Sequence, residues 1–321
     1  MKAFILAAGL GERLRPLTAV IPKPLVPVMN VPSICYALML VREAGIGEAI
    51  VNLHYMPGAI RDFFKMHRDF GLKLSFSYEE RILGTGGGIK KCEEELSDES
   101  FLLLNSDVIM DLDVKALLAR HRADPCPATI VIARMAHPSD RGPVGMHGGR
   151  VVDFKNFLDS GCFSNYDYPG AAVLSPEIFR YLSKDFSSIV YTAYVELIKR
   201  QSLGFYAHEG HWRDVGSLSR LWEANVELTR DARSYPGRMG AALDLHMTAL
   251  ARDALIGKDV RIKHSVVGEG AVVGESCVLE DTLVLPGSRL APGAHAARAI
   301  VCGAEIQPVP DDHPSGKQAG V

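Results

Sequence analysis

Residues 9–24, GLGERLRPLTAVIPKP, place two glycines, two arginines, a lysine and three prolines directly after a short apolar run. This combination suits the handling of phosphate. Gly9 and Gly11 allow backbone to approach a ligand with no Cβ in between, so successive loop N–H groups can converge on phosphate oxygens. Arg13, Arg15 and Lys23 add full positive charge, the arginines as planar forks and the lysine as a point charge. Pro16, Pro22 and Pro24 fix φ and stiffen the loop before any ligand arrives. Two common phosphate loops are excluded: Leu14 stands where a dinucleotide fingerprint needs its third glycine, and no Gly-Lys is followed by Ser or Thr.

Three later stretches carry groups of the same kind. Leu83 to Ile89, LGTGGGI, offers bare backbone to a flat base or ribose, or makes a flexible turn. Asp107 follows the apolar run 101–104 through Asn105 and Ser106; a carboxylate just past a buried strand suits a hard cation, and it equally suits the cap of a turn. Asp214 lies in His211 to Gly216, HWRDVG, ahead of a helix from Ser217, its N-cap, to about Arg230.

The elements that must position these groups alternate. Apolar runs at 3–8, 48–53, 73–78, 101–104 and 128–133 read as strands, with a shorter one at 151–154. Helical spacing appears at 33–44, 57–67, 89–96 and 191–199. This alternation predicts a mostly parallel sheet covered on both faces, with ligands at the carboxyl ends of its strands. From 234 to 254 the pattern weakens, and Pro236, Gly237 and Gly240 read as a linker. A six-residue beat then begins at Ile256, Ile262, Val267, Val273, Leu279 and Leu285, with one slip between Ile262 and Val267. Hexads of this kind predict a short left-handed parallel β-helix, of about two coils before the beat fades near Ala291.

The opening stretch resembles the signature of the nucleotide-sugar pyrophosphorylases, the sugar-1-phosphate nucleotidyltransferases: Gly-x-Gly-x-Arg, then Pro-Leu-Thr, then Pro-Lys-Pro. Gly9, Gly11, Arg13, Pro16, Leu17, Thr18, Pro22, Lys23 and Pro24 match it. The resemblance continues through Leu83-Gly84-Thr85, the strand-to-helix element 168–179 and Trp212-x-Asp214-x-Gly216. It implies an α/β fold, a Rossmann-like nucleotidyltransferase domain at 1–235, followed by the β-helix at 250–303 and a disordered tail at 304–321. It also implies transfer of a nucleotidyl group from a nucleoside triphosphate to a sugar 1-phosphate, with release of pyrophosphate. Arg13 and Lys23 would be catalytic, and Ala8, Gly9, Gly11, Glu80, Gly84, Thr85 and Gly86 would meet the nucleotide. Gly170, Lys155 and Glu196 would meet the sugar, and Asp107 and Asp214 would hold Mg²⁺. The family's Glu-Lys-Pro is missing, its place taken by Asp153, Phe154, Lys155, Asn156 and Phe157. Lys155 is thus either a shifted replacement or an ordinary exposed lysine.

Glu79 and Glu80, ahead of the glycine stretch, are candidates for reading a base amino group. With the hexad tail they favour guanylyl transfer to mannose 1-phosphate. The alternatives are uridylyl transfer to glucose 1-phosphate or N-acetylmuramate 1-phosphate, and a non-catalytic regulatory relative. The β-helix is too short for the acyltransferases built on long coils, and is expected to join subunits of a homo-oligomer. A net charge of -3 leaves no basic footprint for nucleic acid, no apolar stretch is long enough for a membrane span, and six scattered cysteines without a zinc spacing point to reduced thiols in the cytoplasm.

Overall fold

A computed structural model describes residues 1–66, 70–135 and 141–310. The chain forms two compact units, each of discontinuous chain: Met1–Gly9 with Tyr36–Trp212, and Leu10–Cys35 with the residues from Arg213 on. The glycine loop therefore groups with the C-terminal chain.

The first unit is built on one eight-stranded sheet. Its main strands are β1 (Lys2–Leu6), β2 (Glu48–Leu53), β3 (Lys73–Tyr78), β4 (Phe101–Asn105), β5 (Ala128–Arg134), β6 (Ala171–Leu174) and β7 (Leu203–His208). They lie in the order β7-β5-β6-β4-β1-β2-β3, and Tyr166–Asp167 pairs with the end of β5. The sheet is mostly parallel and Rossmann-like; β6 runs antiparallel between β4 and β5. The apolar segments 101–104, 128–133 and 171–174 are buried along their whole length, as strands covered on both faces must be. Phe4, Phe101, Leu103, Ile130, Ile132 and Leu174 meet in one core cluster. The expected strand at 151–154 is instead half of a hairpin, Val144–His147 with Arg150–Phe154, outside the main sheet. The helix expected over 57–67 runs Pro57–Met66, and residue 67 lies outside the described residues.

In the second unit the loop after Gly9 winds through three short 3₁₀ turns, Glu12–Leu14, Leu17–Ala19 and Lys23–Leu25. The helix at Leu218–Arg230 starts as expected, with the Ser217 hydroxyl accepting from Arg220 N at 3.4 Å. The expected linker is corrected: Tyr235–Leu243 is a helix. Pro236 falls in its first turn, where the missing N–H costs nothing. Tyr235, Met239 and Leu243, four residues apart, are all buried. Burial contributes about 1.5–3 kcal/mol for a large apolar side chain, more than the roughly 1 kcal/mol each of Gly237 and Gly240.

The hexad region is a parallel β-helix with seventeen residues per coil. Ile256 pairs with Val273 and Val273 with Leu290, Ile262 with Leu279 and Leu279 with Ala296, Val267 with Val284 and Val284 with Val301. The slip seen once in the sequence is thus a property of every coil. Parallel ladders extend through residue 301, past the expected fade near Ala291, because Ala296 takes the place of a larger apolar residue without breaking the register. The expected tail is also corrected: Glu305–Pro308 pairs antiparallel with His295–Cys302. Residues 311–321 lie outside the described residues.

The coil packs within its own unit. Trp222 donates from Nε1 to the Asp281 carbonyl at 2.7 Å, and Arg230 pairs with Asp281 at 2.6 Å. Asn30 donates to the carbonyls of Thr248 and Val267 at 2.9 and 3.1 Å. Met29 N donates at 2.8 Å to Asn225, which is fully buried.

Candidate active site

Ala8 and Gly9 leave the end of β1, Glu80 follows β3, and Asp107 follows β4. Their strands run parallel in register, Leu6 beside Asn105 and Leu53 beside Tyr78, which brings these residues to one edge of the sheet. Gly170 joins them because β6 runs the other way and starts at that edge, Ala171 beside Leu104. The Gly170 φ of 78° is open to glycine, and a Cβ there would fall 2.1 Å from Asn105 Nδ2. Ala8 is buried and Gly9 exposed. Asp107 is half-buried in the turn between β4 and Val108–Met110.

The second glycine stretch differs from expectation. Its glycines do not precede a helix; they form one, Gly84–Lys91. Four glycines in its first five positions disfavour a helix by about 1 kcal/mol each relative to Ala, so packing must supply the difference. A Cβ on Gly84 would lie 2.4 Å from the Ser187 carbonyl oxygen, and one on Gly86 would lie 2.6 Å from Ser187 Oγ. Gly86 N donates to the Ser187 carbonyl at 2.8 Å, and Ser187 N to the Leu83 carbonyl at 3.0 Å. Thr85 accepts from Ile189 N at 2.9 Å. The space that side chains at Gly84 and Gly86 would need is thus filled by Ser187. Glu79 is corrected too: it is buried, and its carboxylate accepts hydrogen bonds from Asn52 and Leu83, whereas Glu80 is exposed.

Lys155 and Glu196 are not brought to the strand ends by any ladder. Lys155 is exposed in a tight turn with φ of 51°, its N–H donating to the Pro143 carbonyl at 2.6 Å. Buried Asp153 holds this turn, accepting from the N–H groups of Phe154, Leu158 and Ser160 at 2.8, 2.9 and 3.1 Å. Burial pushes the Asp153 carboxyl up, but these hydrogen bonds together outweigh it and hold the group below its ordinary value. Glu196 forms a surface pair with Lys199 at 2.7 Å, one turn along Val195–Lys199, and this hydrogen bond lowers its carboxyl. The preceding Tyr194 is buried and meets Tyr168, hydroxyl to hydroxyl, at 3.0 Å.

In the second unit the predicted groups do come together. A Cβ on Gly11 would touch Thr18 Cγ2 at 2.9 Å and Lys23 Cβ at 3.1 Å, and the Thr18 hydroxyl donates to the Gly11 carbonyl at 2.7 Å. The loop is therefore folded back on itself between Gly11 and Lys23. Buried Gly216 lies between Asp214 and Arg13: its Cβ would meet Asp214 Oδ1 at 2.7 Å and Arg13 Nη2 at 2.9 Å. Asp214 accepts from Gly216 N at 2.5 Å and pairs with Arg220. Arg220 is a residue the linear reading missed. Its six-residue distance from Asp214 becomes a contact only because Ser217 starts a helix between them.

An α/β unit with glycines and carboxylates at its strand ends, whose first strand runs on into a cation-rich loop, defines a nucleotide-handling enzyme. The nucleotidyl transferase family model matches residues 2–231, and the chain belongs to that family. Similar curated proteins include mannose-1-phosphate guanyltransferase 2 of Candida glabrata, 30% identical over 256 residues that cover 78% of this chain and 71% of that protein. Mannose-1-phosphate guanylyltransferase 1 of Arabidopsis thaliana is 30% identical over 285 residues, covering 84% of this chain and 78% of its own. A crystal structure of a UDP-glucose pyrophosphorylase shares the fold with a TM-score of 0.60 at 21% identity, over 72% of this chain and 99% of that one.

Proposed function

We propose that this nucleotidyltransferase joins a nucleoside triphosphate to a sugar 1-phosphate, with guanylyl transfer to mannose 1-phosphate as its reaction. The observation that carries the reading is the loop Gly9–Pro24, whose Arg13 lies against Gly216 beside Asp214 in a chain of this family. A phosphate oxygen of the sugar 1-phosphate attacks the α-phosphorus, the bond from that phosphorus to the bridging oxygen breaks, and pyrophosphate leaves. No protein nucleophile is needed. What the reaction asks for is alignment and neutralisation of charge. Arg13 would steady the leaving pyrophosphate, and Lys23 the α-phosphate and the incoming phosphate. Backbone at Ala8, Gly9 and Gly11 would meet the nucleotide, Glu80 a base amino group, and Gly170 the sugar. The surface pairing of Glu196 and the exposed turn at Lys155 support those two sugar roles least.

Asp107 and Asp214 are hard-oxygen donors of the kind a divalent cation such as Mg²⁺ takes. Among the described residues no group of three or more His, Cys, Asp or Glu is arranged to hold a metal ion. Each carboxylate would act together with substrate phosphates, the usual mode for Mg²⁺. When bound, the cation offsets phosphate charge. Arg220 would have to yield its hold on Asp214.

We also infer a homo-oligomer through the coil, since Leu255 and Ile256 on its first turn are 65% and 39% exposed. A cytoplasmic setting is supported by six free cysteines. No helix among the described residues is long and apolar enough to cross a membrane.

The test is pyrophosphate release from GTP, UTP, dTTP, ATP and CTP, each paired with mannose, glucose and N-acetylmuramate 1-phosphates, with and without chelator. GTP with mannose 1-phosphate should give the highest kcat/KM, and chelator should abolish it. Preference for UTP with glucose or N-acetylmuramate 1-phosphate would replace the substrate assignment, and no release from any pair would overturn the reading.

A further inference from the structure

Asn52 and Glu79 are each 1% exposed, and every polar atom of their side chains has a partner. Asn52 Oδ1 accepts from Ala7 N at 2.7 Å. Its amide Nδ2 donates to Glu79 Oε1 at 2.8 Å, and Glu79 Oε2 accepts from Leu83 N at 2.9 Å. The Glu79 main-chain carbonyl accepts from His54 Nδ1, also at 2.9 Å. The orientation of the Asn52 amide is dictated by chemistry. Ala7 N–H can only donate, so Asn52 must face it with oxygen and face Glu79 with nitrogen. Leu83 N–H can only donate as well, so Glu79 must accept on both oxygens. The glycine helix sits directly on this pair: a Cβ on Gly88 would lie 2.7 Å from Glu79 Oε1 and 2.9 Å from Asn52 Nδ2.

This chain of bonds ties the backbone leaving β1 to the backbone entering helix Gly84–Lys91. We propose that Asn52 and Glu79 are positioning residues that fix the spacing of Ala7–Gly9 and Leu83–Gly86, and through that spacing set the affinity for the nucleoside triphosphate. The inference rests on the functional reading above, which assigns nucleotide contacts to Ala8 and Gly9, and on the expectation from sequence that Gly84, Thr85 and Gly86 also meet the nucleotide. Neither residue touches the nucleotide in this account. The carboxylate that sequence alone suggests as a base reader instead acts one step removed, through the main chain it holds.

The arrangement permits a test by exchange of functional groups. Glu79→Gln turns a donor toward either Asn52 Nδ2 or Leu83 N–H, and Asn52→Asp turns an acceptor toward Glu79 Oε1; each leaves a buried mismatch. The double variant moves the amide to position 79 and the carboxylate to position 52, so every donor again faces an acceptor. GTP and UTP affinities would be measured by calorimetry, together with the KM for each substrate and the thermal midpoint, well below that midpoint. Each single variant should weaken binding of the preferred nucleotide by about tenfold or more and leave the KM for the sugar 1-phosphate within about twofold. The double variant should return to within about threefold of wild type. Folded single variants that bind nucleotide like wild type would overturn the inference, as would a folded double variant no better than the singles. If a single variant does not fold, the double decides alone by the same threshold. Wild-type protein that binds neither nucleotide would overturn the functional reading, and this inference with it.

Discussion

Asp153 is fully buried, and its carboxylate gathers the three backbone N–H groups of Phe154, Leu158 and Ser160. Its depressed pKa fixes the sign of a pH effect. The stabilisation is fully present above the unfolded value, near 3.8, and is lost as pH falls through the lower folded value. Asp153→Asn keeps the shape but offers one acceptor oxygen where two are used, and should cost about 1–3 kcal/mol at neutral pH. Urea titrations should show that gap narrowing below about pH 4, while a constant gap down to pH 2 would contradict the assignment. At this scale the sequence was partly legible. Gly11, Arg13, Lys23 and Asp214 stand in recognisable spacing, and the structure folds each into contact with a loop neighbour or with Gly216. Asn52 and Arg220 were not legible, because their partners lie 27 residues away at Glu79 and across a helix start at Asp214. A polar residue interrupting the apolar run AIVNL was the one available hint of Asn52.

Elements defined by continuous burial were legible, since a strand covered on both faces has to be apolar throughout. Those defined by close approach were not. The glycine helix Gly84–Lys91 contradicts helix propensity and is held by contacts with residues a hundred positions later. Gly87 is its clearest test: a Cβ there would meet the Asp185 carbonyl oxygen at 2.5 Å. Helix propensity alone predicts that Gly87→Ala stabilises by about 1 kcal/mol. The packing predicts the reverse, a loss of about 1–3 kcal/mol from overpacking against backbone, and a thermal melt distinguishes the two by sign. The segment Tyr235–Leu243 looks like a linker in sequence and folds as a helix for a related reason. Its glycines and proline are conspicuous in the sequence, but the stripe Tyr235, Met239, Leu243 outweighs them once buried.

Over the whole molecule, the linear order of domains hides how the chain groups: the phosphate loop and the β-helix belong to one compact unit. The coil is thus more than an appendage for assembly, because Trp222, Arg230 and Asn30 all bond to it or to the chain leading into it. Truncation at Ala254 removes Asp281 from Trp222 and Arg230, and should lower the thermal midpoint by several degrees, as a loss of roughly 1–2 kcal/mol would. If the proposed assembly through the coil holds, light scattering should show fewer subunits per particle; an unchanged subunit number and an unchanged midpoint together would contradict both proposed roles. On the proposed function, this enzyme works by holding charge in place, with the cations of the glycine loop as its principal means. The most direct test is the kcat for pyrophosphate release by Lys23→Ala and by Arg13→Ala, measured on the best substrate pair beside thermal midpoints. Each variant should lose about a hundredfold or more in kcat with its midpoint unchanged, whereas wild-type turnover in both folded variants would contradict the account.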